Sequence, residues 1–145
     1  MLNDLYNQKI LELAGNIPVT VKLENCDACS VKQSKLCGSK IGVELALDGD
    51  VVVGYAHDVK ACMLGQAASA IMAQHIVGSN RSELVQLRDA VTAMLKSDGA
   101  PPAGKWSDVA ALQPVKDVKA RHTSTLLVFE AVCDAFESVN ESETV

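Results

Sequence analysis

Cysteine is the residue type through which this chain can do chemistry. It occurs at positions 26, 29, 37, 62 and 133, and thiolates act both as nucleophiles and as ligands for soft metal ions. Cys26 and Cys29 are separated by two residues, a spacing shared by zinc sites, cluster sites and exchanging dithiols. With Cys37 and Cys62 they supply four thiols, enough for tetrahedral zinc or an iron–sulfur cluster if residues 24–38 fold back toward Cys62. The longer intervals do not match a paired zinc-knuckle pattern. Three readings of Cys26 and Cys29 therefore stay open: metal or cluster contact, exchangeable thiols, or no shared role.

Cys62 has the most definite setting. Val51, Val52 and Val53 form an extended run ahead of it, and Ala67, Ala68, Ala70, Ile71, Ala73 and Ile76 follow as the apolar content of a buried helix. The cysteine falls at a strand-to-helix junction, where free backbone N–H groups and the helix dipole favour a thiolate. Core packing is the competing reading, because cysteine is among the most buried residue types. Cys37 is expected beside it. Residues 41–47 and 51–56 flank the turn signal Asp48-Gly49-Asp50, and a hairpin returns its far end beside its start.

The remaining candidates are weaker. His57 and Asp58 precede Cys62 and offer a proton acceptor or a hard ligand, against the alternative of a solvated turn. His75 reads as helix capping or surface decoration, and His122 opens a polar patch, Arg121-His122-Thr123-Ser124, at a helix start. Cys133, between Val132 and Phe136 on an apolar helix, reads as core packing.

These residues need a scaffold. Apolar spacing predicts an amphipathic helix over residues 2–14 and a strand over residues 17–23. Residues 24–38 read as a loop or short irregular helix. The hairpin follows, then the Cys62 helix ending near Gly78, then a helix capped by Ser79 or Asn80 with Leu84, Leu87, Val91 and Leu95 as its buried stripe. Residues 97–105, rich in Gly and Pro, read as a loop, residues 106–112 as a short helical turn interrupted by Pro114, and a last helix starts at residues 121–124. Residues 138–145 are expected to fray. The fold class is α+β: a small antiparallel sheet of about three strands packed against helices.

Composition bounds the function. The chain has 145 residues, a formal net charge of −5 from 13 basic and 18 acidic residues, and a pI near 5.1. A single domain over residues 1–145 is expected, and the acidic balance argues against a nucleic-acid partner. No apolar run approaches membrane-spanning length and residues 1–15 carry no export signal, so the expected address is cytoplasmic, with no membrane partner. In that compartment close cysteine spacing favours metal binding or thiol chemistry over a disulfide framework, and the odd cysteine count fits that preference.

Over nearly its whole length the chain resembles the iron–sulfur cluster assembly scaffolds called IscU, SufU and the N-terminal domain of NifU. Residues 5–11 (LYNQKIL) look like the family's N-terminal helix, Cys37-Gly38 like its first cysteine motif, and residues 62–70 (CMLGQAASA) like its second. Residues 121–127 (RHTSTLL) align with its third. The resemblance implies a non-enzymatic scaffold that takes sulfur from a cysteine desulfurase, builds a transient [2Fe–2S] cluster and passes it to acceptor proteins, as a monomer or small homo-oligomer; several members also bind zinc. Ser39 falls where the family has aspartate and Ser124 where it has its third cysteine. The metal ligands expected are Cys37 and Cys62, with Cys29 compensating for Ser124 and Cys26 as a further donor. A divergent zinc-binding or protein-interaction module of the same fold is the alternative, and a thiol–disulfide enzyme using Cys26 and Cys29 a weaker third.

Overall fold

The computed structural model describes residues 8–17, 20, 23, 26–34 and 38–143, the last five of these for backbone only. In chain order the elements are α1 (Gln8–Gly15), β1 (Ala28–Gln33), β2 (Lys40–Asp48), β3 (Val51–Lys60), α2 (Met63–His75), α3 (Arg81–Lys96), a 3₁₀ segment (Gly104–Asp117) with a short second one (Lys119–Arg121), and α4 (His122–Glu143). The strands make one antiparallel sheet in the order β1-β2-β3, and helices pack against it. This is the α+β architecture that the periodicity predicts.

The hairpin forms where the Asp-Gly turn places it. Asp48 pairs with Val51, and Gly49 takes a φ of +65°, a conformation a two-residue turn needs and side chains resist. Alternation then sorts the faces: Ile41, Val43 and Leu45 are buried toward the helices, and Gly42, Glu44 and Ala46 face outward. A register shift between Ala46 and Leu47 gives β3 one extra residue near the turn. β3 is longer than the sequence pattern indicates and runs on to Lys60, two residues before Cys62.

The third strand is not the expected one. Residues 24–38 read as a loop, yet Ala28–Gln33 pairs along β2 from Ala28 opposite Leu45 to Gln33 opposite Lys40. Its alternation is real but weakly apolar: Ala28, Ser30 and Lys32 face inward, and Cys29, Val31 and Gln33 outward. Lys32 lays its stem on the sheet and its ammonium 3.0 Å from Asp134 of α4, so a charged residue occupies an inner position. Of the expected strand over residues 17–23, positions 18, 19, 21 and 22 lie outside the described residues. Thr20 is not in a strand; its hydroxyl donates to His57 O at 3.2 Å and accepts from His57 N at 2.9 Å along the β3 edge.

The helices bury the stripes assigned to them. Ile10 and Leu13 of α1 join the core, and α3, capped by Asn80 Oδ1 accepting from Glu83 N at 2.8 Å, buries Leu84, Leu87, Val91, Met94 and Leu95. α2 ends at His75, slightly short of Gly78. Pro114 does not interrupt the 3₁₀ segment, which runs through it to Asp117 and buries Trp106, Val109, Leu112 and Val115. α4 continues to Glu143, past the expected fraying at 138; residues 2–7 of the expected N-terminal helix lie outside the described residues. Among the described residues no helix is long and apolar enough to cross a membrane.

Candidate metal centre

Cys62 caps α2. Its φ of −66° and ψ of 172° are extended, and its carbonyl accepts the Gln66 N–H at 2.9 Å as the first helical bond. The side chain makes no capping bond to its own helix; instead the half-buried thiol donates to Ser124 Oγ at 3.6 Å, and Ser124 Oγ donates to Arg121 O at 3.2 Å. Ser124 is buried on the first turn of α4. The hydroxyl therefore holds the thiol in place, and the two residues that align with the family's second and third cysteine motifs are neighbours.

Glycine permits this approach. A Cβ built on Gly65 would lie 2.7 Å from Ala61 Cβ and 3.4 Å from Ser124 O, so any larger residue forces the first turn of α2 away from the link that carries Ala61 and Cys62. On the other side of the junction, Lys40 pairs with Lys60, which brings Gly38 and Ser39 to the same end of the sheet as Ala61 and Cys62. Gly38 takes a φ of +73° and donates its N–H to Ser34 O, and buried Ser39 accepts the Ser34 N–H at its carbonyl at 2.7 Å. Cys37 lies outside the described residues.

The other candidates are placed elsewhere. Cys29 points outward from β1 opposite Glu44, four residue pairs from the Lys40 end, roughly 13 Å at the usual strand rise. Cys26 is exposed on the same outer face, and both line one cavity there. Cys62 instead packs against the core under the helix layer. The described structure does not bring Cys26 or Cys29 to Cys62, and among the described residues no three of His, Cys, Asp and Glu converge in a metal-ligating group.

His57 and Asp58 lie in the body of β3, opposite Val43 and Gly42, not in a turn at Cys62. His122 is structural: its Nε2–H is within reach of the Val115 and Lys116 carbonyls at 3.0 and 3.1 Å, joining the end of the 3₁₀ segment to α4. His75 does more than decorate the surface, reaching Asp108 at 3.3 Å and meeting the Trp106 ring edge-on. Cys133 is core, 2% exposed, its thiol donating to Leu84 O at 3.6 Å and pushed up to about 11 by burial. Sequence reasoning missed the knot at Glu83, the residue before Leu84: Glu83 Oε2 accepts from Trp106 Nε1 and Ser79 Oγ, each at 2.8 Å, with Lys105 at 3.2 Å. Only the Asn80-x-x-Glu83 spacing of a capping box hinted at it.

A three-stranded meander with a cysteine-capped helix laid against a long C-terminal helix is the IscU/SufU class of α+β fold. No family model matches the sequence. Solved structures do: a nitrogen-fixing NifU-like protein (N-terminal) from Brucella abortus superposes with a TM-score of 0.94 at 46% identity, covering 97% of each chain. The putative iron–sulfur cluster assembly scaffold protein for the SUF system from Fervidobacterium islandicum AW-1 has a TM-score of 0.83 at 19% identity, over 92% of this chain and 97% of that one. The zinc-dependent sulfurtransferase SufU of Bacillus subtilis is 24% identical over 131 residues, 90% of this chain and 88% of that protein. The chain belongs to the IscU/SufU/NifU-like iron–sulfur scaffold family.

Proposed function

We propose that this chain is an iron–sulfur cluster assembly scaffold over residues 1–145, holding iron and sulfide as cargo on Cys62 and Cys37 and releasing the cluster to acceptor proteins. The observation that carries the reading is the Cys62–Ser124 pair at the start of α2, in a chain 46% identical to a NifU-like protein. Metal–sulfur and metal–oxygen bonds of about 2.3 and 2.1 Å at a tetrahedral angle put two donors about 3.6 Å apart. The observed 3.6 Å between Cys62 Sγ and Ser124 Oγ fits that edge. The first-turn N–H groups of α2, which have no partner within the helix, add partial positive charge where thiolate and sulfide gather.

The donor set is short by design of its residues. Serine is a poorer ligand than thiolate for soft ions, and Ser39 brings a hydroxyl where the family has a carboxylate. A cluster held by two thiolates keeps coordination positions open, which favours exchange over storage. Cys29 and Cys26 take no part in this proposed centre, given their place on the outer face. The chemistry is assembly and transfer with no turnover of an organic substrate, and the partners are a cysteine desulfurase as sulfur donor and cluster-accepting proteins.

Anaerobic reconstitution with ferric iron and sulfide tests the proposal, read by visible absorption with iron, zinc and sulfide counted after desalting. Wild type should develop a [2Fe–2S]-type chromophore, and Cys62→Ala and Cys37→Ala should each lose it. Wild type that takes up zinc but no iron and sulfide under several conditions would establish the alternative, a zinc-binding module of the same fold.

A further inference from the structure

The proposed centre leaves the Cys26–Cys29 pair unused, and the fold holds that pair in a definite way. In an undisturbed strand, residues three apart point to opposite faces. Here the chain bends at Asp27, whose N–H donates to Leu45 O at 2.8 Å and whose Oδ2 accepts the Leu47 N–H at 2.7 Å. Ala28 is buried inward while Cys26 and Cys29 both turn out and are exposed. They border an open cavity of about 600 Å³ whose rim also carries Lys40, Lys60, Glu44 and Asp58. That volume is typical of small-molecule sites, roughly 300–1,000 Å³.

We propose that Cys26 and Cys29 form a thiol–disulfide exchange site on the outer face of the sheet, whose co-reactant is a low-molecular-weight disulfide seated in this cavity. The Cys29 thiolate attacks one sulfur of the disulfide, making a mixed disulfide and expelling one thiolate. Cys26 then attacks Cys29 Sγ, closing the Cys26–Cys29 bond and expelling the second. The small disulfide gains two electrons and becomes two thiols; the protein pair loses two electrons, and its two protons go to the leaving thiolates. Lys40 and Lys60 suit a co-reactant that carries carboxylates.

Trypsin isolates the pair. Residues 23–32 contain Cys26 and Cys29 and no other cysteine, while Cys37 falls in 36–40 and Cys62 in 61–81. The full chain is incubated with oxidised glutathione and chelator, alkylated, digested and weighed. The expected peptide is two hydrogens lighter than the reduced form and takes no alkylating agent until dithiothreitol is added; the Cys26→Ser variant should instead keep glutathione on Cys29. Full alkylation of wild type, a stable glutathione adduct on wild type, or linkage of either cysteine to Cys37 would overturn the proposal. Protection of both thiols by zinc alone would overturn it too, in favour of a metal site. The expected product is read on the 23–32 peptide alone and in the presence of chelator, so its outcome is independent of cluster assembly.

Discussion

Replacing Gly65 with alanine probes the contact on which the Cys62 centre depends. The new Cβ would stand 2.7 Å from Ala61 Cβ, where ordinary contact begins at 3.4 Å, so the first turn of α2 must retreat by about 0.7 Å. Ala61 has no flexible end to give way, and Ser124 O at 3.4 Å blocks motion toward α4. Overpacking of this kind costs about 1–3 kcal/mol, and alanine returns up to about 1 kcal/mol of helix propensity. The net expectation is a loss of about 1–2 kcal/mol, or roughly 3–8 °C in Tm for a chain this size. Trp106, the one tryptophan and nearly buried, reports unfolding by fluorescence. Retreat of α2 also lengthens the 3.6 Å Cys62–Ser124 spacing, so iron retained after reconstitution should fall even at temperatures where the variant is folded. A Gly65→Ala protein with wild-type Tm and wild-type iron content would refute the packing argument.

Ser124→Cys should raise metal retention through desalting, because a second thiolate then stands beside Cys62 at a spacing close to the roughly 3.8 Å of two sulfurs on one tetrahedral ion; equal or lower zinc and iron would count against that geometry. Cys29→Ala should leave cluster content unchanged, and loss of the chromophore would return Cys29 to the centre. Cys133→Ser should lower stability by about 1–2 kcal/mol, since a more polar group enters the core, without changing bound metal; urea titration and metal analysis of one sample separate the two effects. For Glu83, burial alone would raise the pKa, but the hydrogen bonds from Trp106, Ser79 and Lys105 outweigh it and hold the carboxyl below its ordinary 4.5. That stability is present above the unfolded pKa and is lost as pH falls through the lower folded value, so Glu83→Gln should flatten the acid limb of a Tm-against-pH curve below about 4.5. An acid limb identical to wild type would show the knot contributes nothing.

The local elements were legible in the sequence because their signals are local. The Asp48-Gly49-Asp50 turn needs only one residue at positive φ, the α3 stripe needs only its spacing and the Asn80 cap, and Cys62 at a strand-to-helix junction follows from apolar patterning on either side. The resemblance to the scaffold family rested on the same short stretches, and the 46% identical Brucella protein carries it over the full chain. β1 was hidden for a physical reason. Its inner face is Ala28, Ser30 and Lys32, and only the α4 surface with Asp134 makes a lysine stem acceptable there. Tertiary structure alone decided which thiols share surroundings: pairing of β1 with β2 turned Cys29 outward and the Asp27 bend turned Cys26 with it, while the packing of α2 on α4 set Ser124 against Cys62. Strand register and helix approach are relations between segments far apart in the chain, and no spacing within either segment encodes them.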